Sequence, residues 1–196
     1  PREPAAPVTV NLAGPLGELG RDDLLRHVQA VAAGVRGCYL VGGAVRDLML
    51  REPGFDVDLA VEGDGIAFAA ELAARLKGHV RPHTKFGTAV VVAGDGPDRL
   101  RVDVASTRAE SYDYPGALPK VQHAGIRSDL ARRDFTINAM AVSLKPETFG
   151  DLYDYFGGRE DLRAGRIVVL HNLSFIEDPT RILRAIAVDV VEDRAD

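Results

Sequence analysis

The period of the apolar residues changes several times along the chain, and each change predicts an element. Leu24, Leu25, Val28, Val31 and Ala32 recur at helical spacing between Asp22 and Val35, a stripe closed by Gly34 and Gly37. Tyr39-Leu40-Val41 is a short apolar strand that breaks at Gly42-Gly43 and passes into a helix over Ala44 to Leu50. From Phe55 to Val61 the alternation is strict, with Phe55, Val57, Leu59 and Val61 on one face and Asp56, Asp58 and Ala60 on the other, the period of a strand. Asp64 is placed to cap a helix that runs to about Leu76. Phe86 to Ala93 and Arg99 to Ala105 read as two strands joined by the turn Gly94-Asp95-Gly96-Pro97-Asp98.

Thr107 to Arg127 keeps no period and is broken by Pro115, Gly116, Pro119 and Gly125; connections of this length inside a domain tend to be functional or mobile. Beyond it, Ser128 to Arg133 reads as a helical turn, Ala139 to Leu144 and Ile167 to Leu170 as strands, and Asp161-Leu162 as the start of a short helix. A last helix opens at Asp178-Pro179 and is expected to turn Ile182, Leu183 and Ile186 inward. The partition that follows is a flexible tail over 1–20, a main domain over 21–172 and the start of a further helical segment over 173–196. Strands and helices mix without a regular βαβ alternation, so the expected class is α+β.

Composition narrows the partners. The 196 residues are 46% hydrophobic and 27% charged, enough for one sizeable core and unlike a disordered chain. Cys38 is the single cysteine, so neither an internal disulfide nor a cysteine-based zinc site is expected, and no disulfide-linked partner. No apolar run approaches the roughly 18 residues that span a membrane, and the first residues lack a signal-peptide pattern; a cytoplasmic setting without membrane contact is the expectation. The net charge of −5 predicts weak affinity for polyanions, unless basic residues such as Arg127, Arg132 and Arg163 gather locally.

Candidate chemistry begins at Asp56-Val57-Asp58. Residues i and i+2 of a strand leave the same face, ~7 Å apart at Cα. Two carboxylates held that way repel unless a cation lies between them, and hard oxygen donors suit Mg²⁺. A solvated edge-strand face is the structural alternative. Asp103, in the alternating run Arg101-Val102-Asp103-Val104, adds a third carboxylate; if its strand lies beside the first, the three form the layout of a two-metal site. Gly42-Gly43 ahead of a helix carrying Arg46 could receive phosphate, although it matches neither the dinucleotide nor the Walker glycine pattern. Asp129, Arg132, Arg133, Asp134, Thr136 and Asn138 form a dense polar cluster. Asp178 reads as a helix cap, while Asp178, Arg181 and Arg184 at spacing three also share a helix face that could present acceptor and donor edges to a base. The five histidines, His27, His79, His83, His123 and His171, are scattered, and no serine-hydrolase nucleophile motif occurs.

Seven segments taken in order carry a resemblance: Leu40 to Asp47, Asp56 to Asp58, Lys85 to Thr88, Arg101 to Asp103, Tyr114 to Pro119, Asp129 to Ala139, and Glu177 to Arg181. Together they resemble the head of the bacterial tRNA nucleotidyltransferase and poly(A) polymerase family, the class II CCA-adding enzymes. That resemblance implies a nucleotidyltransferase (polymerase beta-like) fold, a mixed sheet flanked by helices, with the start of a helical neck. It implies template-independent addition of CMP or AMP, from CTP and ATP, to the 3′ end of tRNA as primer. By it Asp56 and Asp58 bind Mg²⁺, Asp103 completes the cage or polarises the attacking hydroxyl, and Gly42, Gly43 and Arg46 meet the triphosphate. Arg133, Asp134 and Asn138 stand at the ribose, Asp178 and Arg181 choose the base, and Arg184 assists. CCA addition is the expected activity, with A-adding, CC-adding and poly(A)-adding variants sharing the same motifs. A non-catalytic nucleotide-binding module and a small-molecule nucleotidyltransferase are the rivals. Ala187 stands where the family carries Arg, and the body and tail domains have no counterpart here, which implies a catalytic fragment or a reduced relative.

Overall fold

The computed structural model describes residues 10–52, 56–96, 99–111, 120–172 and 174–192. In chain order the elements are α1 (Ala13–Gly17), α2 (Asp22–Ala32), β1 (Gly37–Val41), α3 (Gly43–Leu50), β2 (Val57–Glu62), α4 (Gly65–Arg75), β3 (His79–His83), β4 (Thr88–Ala93) and β5 (Leu100–Ser106). They continue with β6 (Arg108–Ser111), β7 (Lys120–His123), α5 (Ile126–Ala131), β8 (Met140–Ser143), β9 (Leu152–Asp154), α6 (Gly158–Arg163), α7 (Ser174–Glu177) and α8 (Thr180–Glu192). Among the described residues the main sheet has seven strands in the order β3-β4-β5-β2-β1-β8-β9. Its β2–β5 pair is parallel and its other pairs are antiparallel, which makes it the mixed sheet of an α+β domain. β6 and β7 form a separate two-stranded ribbon.

Alternation in the strands decides what each face of the sheet does. Cys38 and Leu40 of β1, Val57, Leu59 and Val61 of β2, Val91 of β4, and Val102 and Val104 of β5 point into one core with Val28 of α2 and Phe68 and Leu72 of α4. Burial pushes the Cys38 thiol up to about 12, so it behaves as a small apolar group. The intervening residues form the other face, where Tyr39, Val41 and Ala60 meet Ile126 and Leu130 of α5. Asp58 and Asp103 belong to this second face because they alternate with the valines of the first. Asp64 caps α4 as expected, accepting from the Ile66 and Ala67 amides at 3.0 Å.

Several expectations change. Residues 10–20, placed in the flexible tail, are attached: Leu16 is 1% exposed, the Leu12 amide donates to the Gly150 carbonyl, and Asn11 donates to Phe149 and Asp151. Residues 1–9 lie outside the described residues, as do Phe55, Pro97, Asp98 and the Tyr114–Pro119 segment. Ile167 to Leu170 is not a strand; it follows the chain of Phe135-Thr136 through a single bridge at Val169 and the Thr136 amide on the Val168 carbonyl. In α8 the inward positions are Arg181 and Ala185, while Ile182, Leu183 and Ile186 are exposed, Leu183 at 70%. A helix buries whatever side chains reach a partner, and here a guanidinium finds polar partners inside. Among the described residues no helix is long and apolar enough to cross a membrane.

Candidate active site

The site grows from the end of β1. After Val41 the chain must reverse into α3, and Gly42 supplies the turn with φ 71° and ψ −141°, a conformation that costs glycine little and other residues much. A Cβ at position 42 would lie 2.9 Å from Arg133 Nη1, so the Arg133 guanidinium rests directly on this turn. One turn into α3, Arg46 is oriented by two acceptors, Asp47 Oδ1 at 2.9 Å and Asn138 Oδ1 at 3.1 Å. Asn138 is held in turn by Asp134, whose Oδ1 accepts from Asn138 Nδ2 at 3.2 Å and from the Phe135 amide at 2.8 Å.

The carboxylates stand beside this turn. In the parallel ladder Asp58 is the register partner of Asp103, so the strand adjacency that a three-carboxylate arrangement requires is present. Asp58 is pushed up to about 6, first by burial and then by the charges of Asp103 and Asp56, against the pull of Arg133 and Arg101. Arg101 forks onto Asp103, with Nε 2.8 Å from Oδ2 and Nη2 3.0 Å from Oδ1. Among the described residues no three acidic, imidazole or thiol groups converge into a closed metal cage as they stand. The donor set nevertheless fits Mg²⁺: hard carboxylate oxygens on one face, one of them already burdened by its neighbours' charge, suit an ion that completes its shell with phosphate and water.

Asp129 of α5 organises the arginines. It is 1% exposed, and its oxygens accept from Arg132 at 2.7 Å, Arg133 at 3.1 Å and the Arg108 amide at 3.2 Å. Burial alone would raise its pKa, but Arg133 and Arg132 outweigh burial and hold it below the usual carboxylate range. Of the arginines that could have gathered into a basic patch against the net charge, Arg132 is thereby committed to an internal pair and Arg127 lies over the Tyr155 ring at 5.6 Å.

Asp178, Arg181 and Arg184, the residues expected to meet the base, form a second group. Asp178 accepts from the Thr180 amide at 3.0 Å and from its hydroxyl; that hydroxyl bond first, then the backbone bond and the Arg184 and Arg181 charges, keep its carboxyl low. Arg184 bridges Asp178 and Asp134, reaching the latter at 3.4 Å. Arg181 is 7% exposed, donating to Ser174 Oγ and, at 3.2 Å, to the Arg132 carbonyl, while its Nε has no hydrogen-bond partner. Arg132 and Asp134 therefore tie the second group to the first. Ser174, fully buried, was not anticipated from sequence; a serine four residues before a capping Asp is its only trace there.

A mixed sheet with a Gly-Gly turn into a helix, and carboxylates in register on the adjoining parallel strands, defines a nucleotidyltransferase-fold domain. The chain belongs to the Poly A polymerase head domain family, whose profile matches residues 38–168. It is 58% identical over 148 residues to an A-adding tRNA nucleotidyltransferase of Geobacter sulfurreducens, covering 76% of this chain and 16% of the relative. It is 50% identical over 164 residues to the A-adding tRNA nucleotidyltransferase of Halalkalibacterium halodurans, covering 83% and 38%. A CC-adding tRNA nucleotidyltransferase of Deinococcus radiodurans is 36% identical over 149 residues, 74% of this chain and 38% of the relative. An apo structure of a CCA-adding enzyme superposes with a TM-score of 0.81 at 41% identity, over 91% of this chain and 42% of that one. Similar structures also include CCA-adding enzyme with CTP, with ATP and, from Thermotoga maritima, with tRNA. The chain thus spans well under half the length of these relatives.

Proposed function

We propose that this chain is the catalytic head of an A-adding tRNA nucleotidyltransferase, joining AMP from ATP to the 3′ end of tRNA. The observation that carries the reaction is the register pairing of Asp58 with Asp103 beside the Gly42 turn and Arg133. The RNA 3′-hydroxyl oxygen attacks the α-phosphorus, the new O–P bond forms as the bond to the bridging β-phosphate oxygen breaks, and pyrophosphate leaves. Asp56 and Asp58 hold Mg²⁺, which when bound neutralises charge on the phosphates and lowers the pKa of the hydroxyl. Asp103, on the strand beside Asp58, polarises that hydroxyl and takes its proton as the bond to phosphorus forms. Gly42, Gly43 and Arg46 receive the triphosphate, with Arg46 already oriented by Asp47 and Asn138. Arg133, Asp134 and Asn138 face the ribose. Asp178 and Arg181, steadied by Arg184, meet the base edge.

Adenosine rather than the full CCA sequence is favoured by the relatives at 58% and 50% identity, both A-adding, against 36% for the CC-adding one. This revises the expectation of CCA addition toward one of its variants. The test is incorporation of labelled ATP or CTP into tRNA ending in CC and into tRNA lacking all three terminal nucleotides. AMP on the first substrate and no CMP on the second is the expected result; CMP incorporation overturns the A-adding assignment. Asp56→Ala and Asp58→Ala are expected to abolish incorporation with the thermal melt retained, since each removes a repelling charge. Turnover in either variant overturns the carboxylate assignment.

A further inference from the structure

The sheet face that carries Asp58 and Asp103 does not end at β5. Asp103 pairs with Val90 of β4, and Val90 with Arg81 of β3, so Arg81 lies in the same cross-strand row as both carboxylates. Two strand spacings separate Arg81 from Asp103, about 10 Å. One row away, Arg101 pairs with Val92 and Val92 with His79. Val80, Ala89, Val91, Val102 and Val104 fill the opposite face, which directs His79, Arg81 and His83 outward on the catalytic side. α5 covers this face over β1 and β8 but not over β3 and β4, where Val90 and Val92 are only half-buried and His79, Arg81 and His83 are exposed.

At the end of this uncovered area, Lys77, His79, Arg81 and Arg99 line a cleft of about 350 Å³ with Val92; among the described residues lining it Asp95 is the one acid. In a chain of net charge −5, the segment from Lys77 to Arg101 carries five lysines and arginines against Asp95 and Asp98. Concentrated positive charge on a sheet face continuous with the reacting carboxylates complements a phosphodiester backbone that must deliver its 3′ end there.

We propose that Lys77, Arg81 and Arg99 form a docking strip for the phosphates of the incoming RNA strand, leading its 3′ end across β3, β4 and β5 to Asp103 and Asp58. This rests on the RNA-extending reading above for its occupant. The test uses the 196-residue chain, a labelled single-stranded RNA with a free 3′-hydroxyl, and intact tRNA, titrated at two salt concentrations. The variant is Lys77→Ala, Arg81→Ala and Arg99→Ala together; Arg163→Ala, an exposed arginine on α6, serves as the control. RNA affinity is expected to fall by about tenfold or more, and the slope of log affinity against log salt to shrink by roughly 2, about 0.7 for each lost phosphate contact. Affinity for Mg²⁺-ATP is expected to stay within about twofold, and the thermal melt unchanged, because these side chains are on the surface.

Unchanged RNA binding and slope overturn the proposal, as does an equal loss with Arg163→Ala or no RNA binding by the unsubstituted chain. A parallel fall in ATP affinity also overturns it, assigning the strip to the triphosphate. If the strip variant loses RNA affinity while the unsubstituted enzyme transfers no nucleotide, the transfer reading fails and the docking surface stands.

Discussion

Asp58 is the residue whose protonation most directly reports the site. Its folded pKa, about 6, lies above the ordinary carboxylate value of 3.8, so the native state holds its proton more tightly than the unfolded chain does. The penalty is absent below the unfolded value, grows between the two, and is fully present above about pH 6, so stability declines as pH rises through that window. Asp58→Asn removes the ionising group. With a chelator present it is expected to stabilise the protein at pH 8 by about 1–3 kcal/mol, because each tenfold change in proton affinity is worth roughly 1.4 kcal/mol, and to leave it unchanged at about pH 3, below the unfolded value. Urea melts at the two pH values read this out; an equal effect at both would mean that Asp58 carries no like-charge burden. Asp129 works in the opposite sense. Its depressed pKa supplies stability at neutral pH that is lost only as acid protonates it, which suits a carboxylate whose task is to hold Arg132 and Arg133 in place.

Among the elements, α8 is where polar rather than apolar contacts set the orientation. Arg181 reaches Ser174 and the Arg132 carbonyl, and Arg184 reaches Asp134, so the helix is tied to the segment after α5. Arg181→Ala leaves those acceptors without their donor and is expected to cost about 1.5–3 kcal/mol. It should loosen α8 selectively, seen as faster amide exchange there than in β1 or β2. In the assembled enzyme, discrimination among ATP, CTP, GTP and UTP should fall by about tenfold or more; equal losses for all four would make Arg181 purely a clamp. The elements differ in how far the sequence announces them. β2 and β5 were readable because Val57, Leu59 and Val61 of one and Val102 and Val104 of the other alternate into the core, leaving Asp58 and Asp103 together on the opposite side. β3 was not, since only Val80 touches the core and Pro82 is tolerated on an edge strand. α8 misled because Ile182, Leu183 and Ile186 are the residues left exposed. Ser174 matters through a buried hydrogen bond, which leaves no periodic mark in sequence.

For the whole molecule, net charge proved a poor guide to where charge sits: acidic residues are spread over the chain, while the cations of β3 and the turn before β5 share one surface. Resemblance supplied roles for the Gly42 turn, Arg46 and Arg133, and the tertiary structure adds what joins them, the Asp129 and Asp134 carboxylates. The parallel pairing of β2 with β5 has a consequence for how the molecule is made. Antiparallel β4 and β5 are joined by a short connection and can meet early, whereas β2 meets β5 only by closing a loop that contains all of α4, β3 and β4. Contacts of such sequence separation are slow to form because chain closure comes before any of their stabilisation. Aspartates 58 and 103 therefore become neighbours late in refolding. Pulse-labelled hydrogen exchange is expected to protect β4 amides bonded to β5 before the amides bonded across the β2–β5 ladder. Nascent or partly refolded chains would then hold native-like hairpins while remaining catalytically blank, and simultaneous protection of both sets would show that the parallel ladder closes with the first collapse.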